Sequence, residues 1–214
     1  MVQIRPPAIF IADSPGLDFL NSLATPVDTP VDWLDSGDGL LNWLAQANLV
    51  PTDVLEELKA RAIPGELDNV ADQTRALREW FRGFVRKHMG RPLTPKVLNE
   101  LGPLNTLLER DEAFSQISRH RHNDGDRLEL HVMRRWRSPE SLLLPVGEAL
   151  AKLVCKEDFA NVKACEGRSC TLLFADHTRR RARRWCSMAI CGNRAKQAAH
   201  RNRLKSKHRQ ANEL

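Results

Sequence analysis

The strongest constraint on the fold of this chain is a set of four cysteines near its C-terminus. Cys165 and Cys170 form one pair, and Cys186 and Cys191 form a second. Each pair encloses four residues, and fifteen residues separate the pairs. Thiolates are soft ligands, and four of them in tetrahedral geometry suit Zn²⁺. The spacing therefore predicts one structural zinc ion bound by these four cysteines.

Two disulfides or four unconnected cysteines are the alternatives to a metal site. The chain has five cysteines, an odd number, and its first residues, MVQIRPPAIFIADSP, lack the long apolar segment of a signal peptide. We therefore expect a soluble cytoplasmic protein, in which thiols stay reduced and disulfides are disfavoured. The fifth cysteine, Cys155, lies in the apolar run ALAKLVC and is predicted to be a small buried hydrophobic residue.

The residues around the second pair, WCSMAICGNRAK, resemble the CGNR zinc finger, which is named for the residue types that stand here at 191–194. The similarity extends upstream to five more positions: Phe174, Asp176, Thr178, Arg179 and Trp185. In this family the finger follows an ABATE domain, and LDFLNSL at 17–23 is similar to the opening of that domain. The resemblance implies a bacterial, stress-induced transcriptional regulator.

Charge divides the chain into two predicted domains. Residues 161–214 hold 14 Lys and Arg against 3 Asp and Glu, a net charge of +11, whereas residues 1–160 hold 19 against 24, a net charge of −5. The polar run KEDFANVK at 156–163 is the predicted boundary. We expect an ABATE-like body at 1–160 and a zinc finger with a basic C-terminal helix at 161–214. A basic module on an acidic body indicates a polyanionic partner for the module.

The body is predicted to have an α+β fold that is mainly helical with one β-hairpin. Helical spacing of apolar residues is clearest at 67–88, and the arginine row on the other face of that helix (75, 78, 82 and 86) is predicted to be solvated unless Arg78 enters a cleft. Pro145 is predicted to kink a later helix. Alternation of apolar and polar residues at 127–136, after a turn, predicts a hairpin across 113–137.

The body shows little sign of catalytic chemistry. No nucleophile motif, phosphate loop or dinucleotide fingerprint is present, so we predict that the protein is not an enzyme. His120, His122 and His131 could hold a second metal ion, but flanking arginines and the lack of a clear fourth ligand favour an exposed polar strand face. The candidate ligand-binding residues are Asp18, Asn21 and Arg78. A polar helix face or a structural hydrogen bond is the alternative for Asp18 and Asn21.

Basic residues on both sides of the second cysteine pair are predicted to bind phosphates. The candidates are Arg179, Arg180, Arg181, Arg183, Arg184, Arg194, Lys196, Arg201 and Arg203. A helix after Asn193 could add base readout in the major groove. Asp176 is predicted to accept hydrogen bonds from Arg179 or from loop N–H groups.

Together these patterns predict a zinc-dependent, DNA-binding transcriptional regulator. We expect its body to sense an unknown small-molecule effector or to mediate homodimerisation. No apolar run reaches the roughly eighteen residues that cross a bilayer, so no membrane partner is expected. The alternatives are an RNA-binding module, a protein-interaction module with a structural zinc site, or a solvated charged tail.

Overall fold

The first half of the body is helical. The structure, a computed structural model, describes residues 6–25, 29–122 and 125–212. Up to His88 these residues form α1 (Pro15–Leu20), a two-stranded pair of β1 (Leu23–Ala24) and β2 (Val31–Asp32), α2 (Gly37–Gln46), α3 (Thr52–Arg61) and α4 (Glu66–His88). The amphipathic pattern predicted for 67–88 is confirmed, because Val70, Thr74, Phe81 and Phe84 are all buried in α4.

The arginines of α4 correct one prediction. Arg78 and Arg82 are buried, although Arg82 was placed on a solvated face. The guanidinium of Arg82 donates a hydrogen bond to the carbonyl of Leu20, the last residue of α1. Carbonyls at a helix C-terminus have no partner within the helix, and a buried one needs a donor from elsewhere. The need of α1 for such a donor explains why α4 turns a charged residue inward.

The second half of the body begins with a 3₁₀ turn (Pro95–Glu100) and α5 (Gly102–Leu108). It continues with β3 (Ala113–His122), β4 (Gly125–Arg134), another 3₁₀ turn (Pro139–Leu142) and α6 (Leu143–Lys156). Pro145 does not interrupt α6, because it lies in the first turn, where a missing N–H costs no intrahelical hydrogen bond. A Cβ at Gly16 would lie 2.8 Å from the carbonyl oxygen of Ala149, so α1 and α6 approach closely.

The predicted β-hairpin is confirmed as the antiparallel pair β3–β4, with Ile117 opposite Leu130. One of its faces carries large apolar side chains in solvent: Leu128, Leu130 and Val132 are 79%, 70% and 76% exposed. The side chains of His120 and His122 lie outside the described residues, so the hairpin metal site has no test here. Cys155 is exposed, and its predicted burial was wrong, because α6 turns Leu150 and Leu153 inward and leaves position 155 on the outer side.

The C-terminal part contains a 3₁₀ turn (Phe159–Asn161), β5 (Val162–Ala164), β6 (Leu173–Ala175), a π-helical turn (Met188–Gly192) and α7 (Asn193–Asn212). β5 and β6 form an antiparallel pair, and the first two cysteines, Cys165 and Cys170, lie in the loop between these strands. The core runs across the predicted boundary at residue 160. Phe159 packs edge-on against Phe84, and Ala175 donates its N–H to the carbonyl of Ala12. Among the described residues, no helix is long and apolar enough to cross a membrane.

Candidate metal centre and nucleic-acid interface

The four cysteines predicted as zinc ligands converge. Their Sγ atoms all lie within 4.8 Å of one another, with 3.8 Å between Cys170 and Cys186 and 3.6 Å between Cys186 and Cys191. A tetrahedral site with Zn–S bonds of about 2.3 Å places its sulfurs about 3.8 Å apart. The cluster therefore has the dimensions of a ZnS₄ site.

The electrostatics of the cluster also favour a bound cation over four free thiolates. The hydrogen bond to Cys170, burial and the neighbouring thiolates raise the pKa of Cys186 far above its ordinary value. Burial likewise raises the pKa of Cys191 to about 11, whereas the hydrogen bond from Cys186 lowers the pKa of Cys170 to about 5. Four thiolates this close cannot all be charged without a compensating ion. The chain thus provides a structural site for one Zn²⁺, which replaces the thiol protons.

Two glycines allow the backbone to approach the sulfurs. The N–H groups of Gly167 and Cys186 donate to Cys165 Sγ at 3.4 and 3.3 Å, which stabilises a thiolate at that position. A Cβ at Gly167 would lie 3.0 Å from Cys191 Sγ, and one at Gly192 would lie 2.6 Å from Met188 Sδ. Without a Cβ, Gly192 leaves room for the Met188 side chain beside the π-helical turn that carries Cys191.

The first cysteine pair is attached to the body through Asn21. The side chain of Asn21 donates to the carbonyl of Leu173 at 2.8 Å and accepts the N–H of Leu173 at 2.9 Å. These two buried hydrogen bonds tie the end of α1 to β6. Cys165 in turn donates its N–H to the carbonyl of Leu172, so the clamp on β6 also positions the first ligand.

Asp176 organises the loop between the two cysteine pairs. It is fully buried; one carboxylate oxygen accepts from the N–H and hydroxyl of Thr178, and the other accepts from Lys163 and from the N–H of Arg183. Burial raises the pKa of Asp176, but these donors lower it by more, so the carboxyl titrates well below its usual range. The predicted loop N–H partners are present, whereas Lys163 takes the place predicted for Arg179.

Arg183 is directed into the structure. Its guanidinium pairs with Asp13 at 2.5 Å, donates to the carbonyls of Ile11 and Cys186, and lies 4.4 Å above the ring of Phe174. Its Nε donates to the carbonyl of Trp185. Arg183 therefore links the N-terminal segment to the third zinc ligand, and these contacts occupy the donors that a phosphate would need.

The other predicted nucleic-acid residues fall into two groups. Arg181 has a left-handed backbone (φ 49°) and donates to the carbonyl of Asp176, and Arg184 pairs with Glu166 at 2.6 Å and lies over the ring of Trp185. Arg194 approaches Cys191 Sγ at 3.6 Å. The remaining candidates, Arg179, Arg180, Lys196, Arg201 and Arg203, are exposed, and Arg181 and Arg184 are exposed too in spite of their contacts.

The three candidate ligand-binding residues each bind other groups of the fold. Asp18 accepts the N–H groups of Ile11 and Ala12 at 3.0 Å each, and burial raises its pKa to about 6 although these donors lower it. Asn21 holds β6, as described above. Arg78 forms a two-pronged ion pair with Asp32 of β2, at 2.7 and 2.8 Å. Each residue thus satisfies polar groups within the fold.

Sequence reasoning missed two residues of the finger. Lys163 pairs with buried Asp176 at 2.6 Å, and its position on β5 opposite Phe174 could have been found only from the strand register. Arg168, in the loop of the first cysteine pair, is exposed beside α7. Its signal was present in the sequence, because a cation stands between two ligands of a metal site.

Comparison with known families agrees with this architecture. The model of the ABATE family, described as "Putative stress-induced transcription regulator", matches residues 13–157. The model of the CGNR zinc finger matches residues 161–204 and includes all four cysteines. No curated protein matches the chain. The first match spans more than half of the sequence, and the second falls on the zinc centre. The chain therefore belongs to the ABATE family and carries a C-terminal CGNR zinc finger.

Proposed function

We propose that this protein is a DNA-binding transcriptional regulator whose zinc finger presents arginine and lysine side chains to the phosphate backbone. The observation that carries the proposal is the exposed pair Arg179 and Arg180, on the loop that Asp176 and Arg183 hold against the zinc centre. Cations on a rigid support lose little conformational entropy when they meet phosphates. The proposal contains no catalytic step and places the activity in the cytoplasm.

The second group of cations lies on α7. Lys196 and Arg203 are seven residues apart, so they share one side of the helix. The helix begins at Asn193, two residues after Cys191, and the zinc ion would therefore fix its first turn relative to Arg179 and Arg180. A duplex presents its phosphates at fixed positions, which two cationic groups at a fixed separation can contact together. A flexible tail would not need such a fixed separation.

The test compares two charge-matched double variants. Arg179→Ala with Arg180→Ala removes two proposed phosphate contacts, and Lys96→Ala with Arg110→Ala removes two exposed cations from the body. We expect the log–log salt slope of duplex affinity to fall by about two units for the first variant and to be unchanged for the second. Chelation of zinc should also weaken binding. If the chelated protein binds duplex DNA as tightly as the zinc form, the proposal fails and a protein-interaction role replaces it.

Homodimerisation is the role that we propose for the body, with β3–β4 as the surface and a second copy of the chain as its partner. Ile117, Leu128, Leu130 and Val132 share one exposed face. A lone two-stranded hairpin is only marginally stable in water, and a regulator with two DNA half-sites needs two fingers. The four side chains of each copy would bury about 500 to 1,000 Å² in total, the size of a weak interface.

Sedimentation over a range of protein concentrations tests the dimer. We expect Leu130→Glu to remain monomeric where the wild type self-associates, and Ile63→Glu, a matched change at an exposed apolar residue outside the hairpin, to behave as wild type. Equal masses for wild type and Leu130→Glu would refute this surface. Effector sensing stays a prediction, because Asp18, Asn21 and Arg78 are all engaged within the fold.

A further inference from the structure

A groove of about 550 Å³ opens beside the zinc centre, between the loop of the first cysteine pair and α7. We call it the knuckle groove. Its walls are the loop 166–170, Trp185, Cys191 and the α7 side chains Arg194, Ala195, Ala198 and Arg201. The groove is distinct from the loop that carries Arg179 and Arg180, so a ligand in it would use different residues from those of the duplex contact proposed above.

The charges around the knuckle groove favour an anion. Arg168, Arg194 and Arg201 line it, and the carboxylate of Glu166 is paired with Arg184 at 2.6 Å. Zn²⁺ with four thiolates carries a net charge of −2, and Arg194 offsets half of it through its contact with Cys191 Sγ. Arg168 and Arg201 are both exposed, on opposite walls of the groove. An anionic group in the groove would therefore meet both guanidinium groups.

The shape of the groove limits the size of the anionic ligand. Arg194, Ala198 and Arg201 stand at positions i, i+4 and i+7, so they face the groove from one side of α7. Ala195 and Ala198 have small side chains, which leaves the space between Arg194 and Arg201 open. A volume of about 550 Å³ is typical of a site for a small ligand. A double helix is too large to enter a groove of this size. One or two nucleotides of a single strand fit.

Trp185 gives the groove an aromatic surface. Trp185 borders the cavity, and the guanidinium of Arg184 lies over its ring, 5.1 Å from the ring centroid. Stacking of a base on an aromatic side chain is independent of sequence, and it combines with cationic side chains in proteins that bind single strands. A phosphate subsite and an aromatic ring in one groove therefore match the two parts of a nucleotide.

We infer that the knuckle groove binds a nucleotide unit of a single-stranded nucleic acid, with its phosphate between Arg168 and Arg201 and its base against Trp185. This goes beyond duplex binding by the exposed loop and rests on the proposed function only in assigning nucleic acid to the same module. A free mononucleotide has the same chemistry, and the experiment below separates the two sources.

The test measures fluorescence anisotropy of a labelled oligothymidine and of a labelled duplex at one fixed salt concentration. The groove variant is Arg168→Ala with Arg201→Ala, and the matched control is Arg179→Ala with Arg180→Ala; zinc content is measured for both. Loss of one charge-assisted hydrogen bond corresponds to about tenfold in affinity. We expect the groove variant to lose about a hundredfold in affinity for the single strand and the control to lose most of its affinity for the duplex.

Trp185→Phe gives a second readout, because it keeps an aromatic ring but removes the indole. Quenching of tryptophan fluorescence by the oligothymidine should disappear in this variant and persist in the wild type. If thymidine monophosphate displaces the labelled oligothymidine at a concentration below that of the oligonucleotide, the groove binds a free nucleotide. That result would overturn the single-strand inference.

The outcomes for the groove and for the proposed function are separable. Equal single-strand affinity of the groove variant and the wild type overturns the groove inference, even if the control variant loses duplex affinity. If no protein binds duplex DNA while the groove variant loses single-strand affinity, the duplex proposal fails and the groove inference holds.

Discussion

Asn21 joins the body to the zinc finger, and its substitution tests how strongly the two are coupled. The side chain is 1% exposed and makes two hydrogen bonds to the backbone of Leu173, which is itself buried. Asn21→Ala leaves a buried N–H and a buried carbonyl without partners, at about 1 to 3 kcal/mol each. We expect a loss of about 2 to 6 kcal/mol in the free energy of unfolding, a large share of the stability of an ordinary domain.

Asn21→Asp refines this expectation. Its carboxylate still accepts the N–H of Leu173 but presents a buried negative charge to the carbonyl that Asn21 Nδ2 served. At neutral pH this variant should be at least as unstable as Asn21→Ala. The environment raises the pKa of the new carboxyl, and the protonated acid can donate to the Leu173 carbonyl. The stability of Asn21→Asp relative to wild type should therefore rise as the pH falls.

Urea unfolding followed by circular dichroism, with zinc release measured in the same titration, checks both variants. Asn42→Ala, at an exposed position of α2, is the control and should change stability by less than about 0.5 kcal/mol. Zinc release and loss of helix should shift together, because the clamp lies between the two domains. A change below about 0.5 kcal/mol for Asn21→Ala, or zinc release that shifts while helix loss does not, would refute the coupling.

Two further predictions concern the metal and the pH dependence. Cys186→Ser should lose the zinc ion, and Cys155→Ser, at the exposed cysteine, should retain one ion per chain by metal analysis; full zinc in Cys186→Ser would contradict the site. Burial raises the pKa of Asp18 from 3.8 to about 6, so the folded state binds more protons than the unfolded state between these values. The free energy of unfolding should therefore fall as the pH rises from about 4 to about 7, by up to about 3 kcal/mol, and Asp18→Asn, which keeps the accepting oxygen, should lack this fall in urea titrations.

The zinc centre could be predicted from the sequence because its information is local. The spacing of four cysteines and the glycine after Cys191 specify ligand type, geometry and a close backbone approach without reference to the rest of the fold. The amphipathic pattern of α4 was equally local, and it correctly placed Phe81 and Phe84 inside. Such patterns record which side of an element is apolar, and they carry over directly into the structure.

The roles of polar residues could not be predicted in the same way. Arg82 and Arg183 look like surface cations in sequence, yet they serve buried carbonyls on segments at least 60 residues away, at Leu20 and Ile11. Asp18 and Asn21 share a helix side, a pattern that fits either a ligand site or structural hydrogen bonds, and the sequence does not show that their partners lie at Ala12 and on β6. Which backbone groups lack a partner depends on how distant segments meet, and composition does not encode it.

This inward use of arginine lowers the charge that the finger can offer to DNA. The net charge of +11 includes Lys163, Arg183 and Arg184, which are paired with Asp176, Asp13 and Glu166. Among the described side chains of the finger, the exposed cations for which neither a carboxylate nor a backbone carbonyl is a partner are Arg168, Arg179, Arg180, Lys196 and Arg201. If all five contact phosphates of a duplex, the log–log salt slope is about −4.5. The groove inference assigns Arg168 and Arg201 to a single strand, so Arg179, Arg180 and Lys196 give a duplex slope of about −2.7, and Arg203 on the Lys196 side of α7 brings it to about −3.6. A slope much steeper than about −4.5 would mean that the last turns of α7 also bind phosphates. Truncation after Lys196 would then remove the additional part of the slope.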